Sequence, residues 1–272
     1  MSSNSRITTL GSCADINSMQ DHRTSGGILI ESDNNLMLLD PGIGSIVRLS
    51  QVKAQLNNLN SVLITSNDVI YTNDVNAVIE NSGRSIYLIG PSKFLKHEES
   101  VLTKNHIKNV KTILVDSDKH TIIPSFEIEA YNNKNDSVSY KITTNKFILG
   151  YITKAKYSKF FVQKFSDANI LIIALQNIND TNSDYLDYEE IIELIKEINP
   201  ELVILTGFNK KIIDQDPLGI SRKMKQDIQK ILEEKSGKNI KTIKTQIHIA
   251  KELMTINPES YNIFLKQKKL SF

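Results

Sequence analysis

Cys13 is the one thiol in the sequence, and His22 follows it in the same stretch before the next apolar run. A cysteine becomes a nucleophile when a neighbouring base holds it as thiolate. The pair therefore reads as the nearest approach to a nucleophilic site, with an inert small residue at position 13 as the plainer alternative. His22, His97, His106, His120 and His248 are scattered without the spacing of a zinc site, and each reads as a surface or packing histidine. Three charged residues stand directly behind apolar runs: Asp40 after Leu36–Leu39, Asp68 close behind Val62–Thr65, and Lys154 after Phe147–Thr153. Residues placed at strand ends are positioned by rigid structure yet reach loops where ligands bind. Asp68 and Lys154 carry opposite charges and by themselves read as two solvated side chains. Asp40 precedes Pro41-Gly42 and reads as a turn residue.

Composition narrows the surroundings of these residues. The 272 residues carry a formal net charge of +2, which gives no bulk electrostatic case for nucleic acid or membrane as partner. No apolar run approaches the ~18 residues that span a bilayer, and residues 1–5 lack the apolar centre of a signal peptide. A single cysteine forms no internal disulfide and suits the reducing cytoplasm. The basic residues Lys266, Lys268 and Lys269 read as a frayed, solvated end. One domain over residues 1–272 is the expected organisation, since the polar stretches 131–137 and 177–184 read as loops too short to separate independent domains.

The elements that hold the chemistry follow from periodicity. Arg6–Leu10 reads as a strand. Gly27–Glu31 and Leu36–Leu39 form a hairpin across Asp33, Asn34 and Asn35. Residues 46–56 have helical spacing, Ser61–Thr65 is a short buried strand, and 73–80 is a helix with Asn73 as N-cap and Asp74 beside it. Phe126–Ala130, Val138–Thr143 and Phe147–Thr153 repeat the strand pattern. Asn169–Ala174 and Leu202–Thr206 are continuous apolar strands buried on both faces. Between them Asp187 caps a helix in a capping box with Glu190, the stripe Ile191, Leu194, Ile195 and Ile198 faces inward, and Asn199-Pro200 ends it. A last helix covers 221–235. Strands before helices in each half predict an α/β protein with sheets face to face and helices outside.

Five segments, in order, resemble the metallo-β-lactamase superfamily, in its prokaryotic stand-alone form: Ile7–Gly11 (ITTLG), Leu38–Gly44 (LLDPGIG), Val62–Glu80 (VLITSNDVIYTNDVNAVIE), Gly150–Tyr157 (GYITKAKY) and Leu202–Phe208 (LVILTGF). The resemblance implies a four-layer αββα sandwich made of two similar halves. It also implies one or two zinc or similar ions held by an HxHxDH run, two further histidines and a bridging aspartate. Here the run falls on Ser66, Asp68, Ile70 and Tyr71. The third histidine falls on Asn132 or Asn133, the bridging aspartate on Lys154, the last histidine on Gly207, and an additional one on Tyr185, while Asp40 matches the family's aspartate that supports the ligand loop, the alternative to its reading as a turn residue. The motifs for metal are thus degenerate.

That loss has a chemical meaning. Zinc takes imidazole, thiolate or carboxylate at about 2 Å. Ile70 and Gly207 offer nothing, Lys154 brings a positive charge, and Asp68 alone is a strong ligand. Without metal there is no Lewis acid and no low-pKa bound water. Zinc is not expected. An oxygen-only magnesium or calcium site from Asp40, Asp68 and Asn133 is opposed by Lys154. The expected function is that of a pseudoenzyme with a binding or regulatory role, its residual cleft formed by Asp40, Asp68 and Lys154. The expected partner is an active relative of the same fold or a small anion met by Lys154, and oligomers are compatible with either. The alternative is a hydrolase with a rebuilt, metal-independent or weak-metal site. The family fold brings the strand ends before Asp68 and Lys154 together, so the two groups are expected within ~4 Å, with Tyr71 and Asn133 satisfying the remaining donors.

Overall fold

The computed structural model describes residues 5–19, 23–96, 100–133, 136–178, 183–236 and 244–265. His22, His97, Lys266, Lys268 and Lys269 lie outside them. The chain runs β1 (Arg6–Thr9), α1 (Ile16–Met19), β2 (Ile28–Ser32), β3 (Asn35–Leu39), α2 (Ser45–Gln51), β4 (Leu59–Leu63), α3 (Val69–Thr72), α4 (Val75–Ser82), β5 (Ile86–Gly90), α5 (Ser92–Lys96) and β6 (Val110–Leu114). It continues through β7 (Lys119–Ile123), β8 (Phe126–Asn133), β9 (Ser137–Thr143), β10 (Ile148–Ile152), α6 (Lys159–Phe165), β11 (Ile170–Ala174), α7 (Tyr188–Ile198) and β12 (Leu202–Thr206). The remainder is α8 (Lys210–Asp214), α9 (Pro217–Ser236), β13 (Gln246–Ile249), β14 (Met254–Ile256) and β15 (Ile263–Leu265).

The strands form two mixed sheets, ordered β15-β14-β1-β2-β3-β4-β5-β6 and β13-β12-β11-β10-β9-β8-β7. Each half begins with an antiparallel meander, β1-β2-β3 or β8-β9-β10, and then adds parallel strands, β4-β5-β6 or β11-β12-β13. Period-two alternation explains why the parallel strands are apolar throughout. In β11, Ile170 and Ile172 enter the core between the sheets, while Leu171 and Ile173 pack with α6, α7 and α9. Leu202 and Ile204 against Val203 and Leu205 do the same in β12. On the other side Leu38, Val62 and Ile64 meet α2 and α4. Three apolar layers between four structural layers make the αββα sandwich.

Several local expectations are met. Asp33 and Asn34 have positive φ, 49° and 63°, as a two-residue hairpin turn requires. The Asp187–Glu190 capping box is present in both directions, and Asn199 ends α7 at φ 53°. Others are corrected. The helical pattern over 46–56 stops at Gln51, because Lys53 turns into the left-handed region at φ 57°. The strand expected at 61–65 pairs over Leu59–Leu63. Asn73 caps no helix start; it closes the short α3, which the sequence had not suggested. Asp74 does stand at the start of α4, as expected, and its carboxylate accepts from the backbone N–H of Ile46, satisfying the first turn of α2 from another element. Residues 131–133, read as loop, continue β8, whose pairing with β9 extends to Asn133 and Ser137.

Candidate functional site

β3, β4, β10, β11 and β12 all end on one edge of the sandwich, and the segments that leave them touch across it. Rigid parallel strands thus deliver loop residues from both sheets to one place, the usual location of sites in α/β folds. Asp40, just past β3, is fully buried and holds φ 47°. Its carboxyl accepts the Thr65 backbone N–H at 2.7 Å, the Thr65 hydroxyl at 2.7 Å and the Tyr151 hydroxyl at 2.9 Å. The reading of Asp40 as a simple turn residue is therefore incomplete: it ties the ends of β3 and β4 to β10 in the opposite sheet. Burial pushes its carboxyl up to about 7; the donated bonds pull the other way and the nearby Asp68 charge adds to the rise.

Lys154 lies outside this buried knot. Its Nζ is 3.9 Å from an Asp68 carboxylate oxygen, the expected approach, and 3.8 Å from Asp184. Asp184 was not foreseen, and the residues expected to assist Lys154 do something else. The Asn133 amide donates to the Lys154 carbonyl at 2.9 Å and toward Ser137 and Ser139, so it holds the backbone and not the amine. Tyr71 is 5% exposed and receives a 3.4 Å bond from Gln176, while its hydroxyl also bonds Tyr185. Burial, first of all, lifts the Tyr71 hydroxyl well above the ordinary tyrosine range. Ser66 is buried with its hydroxyl 3.4 Å from Asp68. Ile70 offers only its carbonyl side to the Gly42 backbone, and Gly207 follows β12 at φ 64°.

The Lys154–Asp68 pair is long and partly solvated, with the two side chains 21% and 43% exposed. Coulomb attraction at this range in a wet cleft is largely screened. A double-mutant cycle of Lys154→Ala and Asp68→Ala is expected to give a coupling no greater than about 1 kcal/mol in urea unfolding. A coupling of several kcal/mol would mean that the pair is drier than its exposure indicates.

Tyr151, Thr65, Gln176 and Asp184 complete the site, and sequence reasoning missed them. A signal existed for Tyr151: a tyrosine within an aliphatic strand buried on both faces needs a polar partner inside the core. Tyr140, in the mixed strand β9, donates to the Ile64 carbonyl at 2.7 Å, again from sheet to sheet. Cys13 is 3% exposed, and burial, helped by Glu252 and Asp15, pushes its thiol up to about 12. The thiolate that a nucleophile requires is thus disfavoured.

No family model matches the sequence. An uncharacterized protein of Methanocaldococcus jannaschii, MJ1374, is 22% identical over 206 residues, covering 70% of this chain and 77% of the relative. The solved structures give a sharper answer. The metallo-β-lactamase fold protein YhfI from Bacillus subtilis superposes with a TM-score of 0.73 at 15% identity, over 93% of this chain and 98% of YhfI. Human tRNase Z, short form, follows at 0.64 and 14%, covering 92% and 98%. Zn²⁺-bound PqqB from Methylobacterium extorquens gives 0.65 and 13%, covering 92% and 99%. The chain has the metallo-β-lactamase fold.

The metal that this fold commonly carries can be tested against the donors present. In this metallo-β-lactamase-fold chain, no three His, Cys, Asp or Glu side chains among the described residues come together to hold an ion. The oxygens that do converge already accept protein donors: both Asp40 oxygens do so, and the Asn133 amide oxygen accepts from the Ser139 hydroxyl at 3.3 Å. The one exposed carboxylate at the ligand run, Asp68, faces the Lys154 ammonium. This donor set does not fit zinc, and with a cation already beside Asp68 it does not fit magnesium or calcium.

Proposed function

We propose that this metallo-β-lactamase-fold protein is a pseudoenzyme: a single cytoplasmic domain over residues 1–272 that binds or regulates without hydrolysing. The observation that supports this most is the Lys154 ammonium between Asp68 and Asp184, 3.9 and 3.8 Å away, where the superfamily resemblance would put an aspartate between two metal ions. A cation in that position repels a dication and leaves no route to a metal-bound hydroxide. The same geometry favours one kind of partner over the other. Two carboxylates already balance Lys154, so a small free anion would enter a cleft of net negative charge. A protein partner, such as an active relative of the same fold, does not depend on that charge. The single buried thiol, Cys13, accords with a reducing compartment, and among the described residues no helix is long and apolar enough to cross a membrane.

Metal analysis of protein purified without added zinc, with melting curves recorded with and without a strong chelator, tests the reading. The expected outcome is substoichiometric metal and coincident curves, because folding is not linked to metal. Phosphodiester, thioester and lactam substrates should be turned over no faster than by a folded control protein, with or without zinc, manganese or magnesium. Stoichiometric metal whose removal lowers the melting temperature, or turnover abolished by Asp68→Ala, would establish a rebuilt hydrolytic site instead.

A further inference from the structure

Behind the Lys154 cluster lies a cavity of about 20 Å³ whose walls include Asp40, Tyr71, Tyr151, Thr153, Thr206 and Gly207. Its polar lining is not fully paired. Thr153 is 1% exposed and lines the cavity, and its hydroxyl has no hydrogen-bond partner among the described residues. An orphaned buried hydroxyl is destabilising unless something bonds it. A volume above ~10–15 Å³ with polar walls is enough for one water molecule.

We propose that this cavity is a one-water site, with the water bonded to the Thr153 hydroxyl and to the Asp40 carboxyl. Asp40 is the reason for water and not a cation. All three groups bonded to its oxygens are placed as donors: the Thr65 N–H, the Thr65 hydroxyl and the Tyr151 hydroxyl. When Asp40 is protonated its own O–H needs an acceptor. When it is ionised it gains from another donor. A water serves both states by rotating, and the Thr153 hydroxyl reverses with it. A cation serves only the ionised state, and the Tyr71 and Tyr151 hydroxyls that would have to coordinate it are already engaged. The titratable groups around Asp40 are Asp68 after β4, Tyr71 on α3, Tyr140 on β9, Tyr151 on β10 and Cys13 after β1.

The inference rests on the cavity and the orphaned hydroxyl, independently of the proposed function. A crystal structure at high resolution, from protein without added divalent metal and from crystals soaked in rubidium chloride, tests it. One spherical peak within hydrogen-bond distance of Thr153 Oγ1 and Asp40, with no anomalous signal, is expected. No density, or a rubidium signal there, overturns the water site and leaves the pseudoenzyme reading standing; a zinc-edge signal there overturns both. A second measurement needs no crystals. If the water is present, Thr153→Val strips it of a partner and lowers the melting temperature by about 2–4 °C. If the hydroxyl is simply unpaired, the same change removes an orphan and raises it, which would overturn the proposal.

Discussion

Gly42→Ala is expected to leave little or no folded protein. Gly42 lies in the turn after Asp40, pressed against α3. A Cβ there would stand 1.7 Å from the Ile70 carbonyl oxygen and 2.6 Å from that of Ser25. Both obstacles are backbone, so no side chain can rotate away. Relief requires moving α3, and with it Tyr71 and the Asp74 N–H bond to the Pro41 carbonyl. A loss above about 4 kcal/mol is expected, against a total of roughly 5–15 kcal/mol for a globular domain. Gly83→Ala is the control. Gly83, unlike Gly42, has positive φ, 63°, and its Cβ would meet only the end of the Asn57 side chain at 3.5 Å. The strained backbone alone should cost about 1–2 kcal/mol. Urea unfolding of the two variants separates the cases, and a Gly42→Ala midpoint close to wild type would mean that α3 moves freely against the turn.

The second large effect belongs to Asp40. Asp40→Ala removes the acceptor of three donors at once and leaves at least the Thr65 backbone N–H unpaired in the core. A loss of about 3–5 kcal/mol is expected at pH 5. Asp40→Asn keeps the shape and is expected to fold, and its value lies in pH dependence. The folded carboxyl is raised from 3.8 to about 7, so the native state holds a proton that the unfolded chain releases earlier. Its contribution to stability is fully present below pH ~4 and is lost as pH rises to about 7. The amide has no such loss. The difference in unfolding free energy, variant minus wild type, should therefore climb from pH 4 to pH 7, by on the order of 4 kcal/mol, and level off above. A flat difference curve would show that the three donated bonds hold Asp40 ionised throughout.

How much of this was legible before the structure depends on the range of the interaction involved. The buried strands Ile170–Ala174 and Leu202–Thr206, the hairpin at Asp33-Asn34 and the capped helix from Asp187 are set by neighbours within a few residues. Alternation, turn chemistry and capping express those neighbours directly, so their positions were readable. The motif order led correctly to the fold. The strands β5, β6, β7 and β13–β15 were not read, because edge strands and short parallel strands are stabilised by partners far along the chain. The helix at 46–56 was read too long for a related reason: apolar spacing persists past Gln51, but the backbone reverses at Lys53 to bring β4 beside β3.

At the site the division is sharper. Residue types alone carry the expectation that metal chemistry is missing: Ile70 and Gly207 have no ligating side chain, and Lys154 brings an ammonium, because ligation depends on side-chain type. It also determined that the remaining charges, Asp40, Asp68 and Lys154, follow strands. Only the tertiary structure decided what those charges do. Asp40 became a buried link between two sheets because Tyr151, 111 positions away, presents a hydroxyl to it. Lys154 acquired Asp184 as a second anion because packing sets that carboxylate 3.8 Å from its amine. Tyr71 and Asn133 turned from the ammonium toward Gln176 and the Lys154 carbonyl. Hydrogen bonds and ion pairs act over a few ångströms between groups whose separation along the chain is unconstrained, so residue types define what can bond, and packing of the two sheets defines what does.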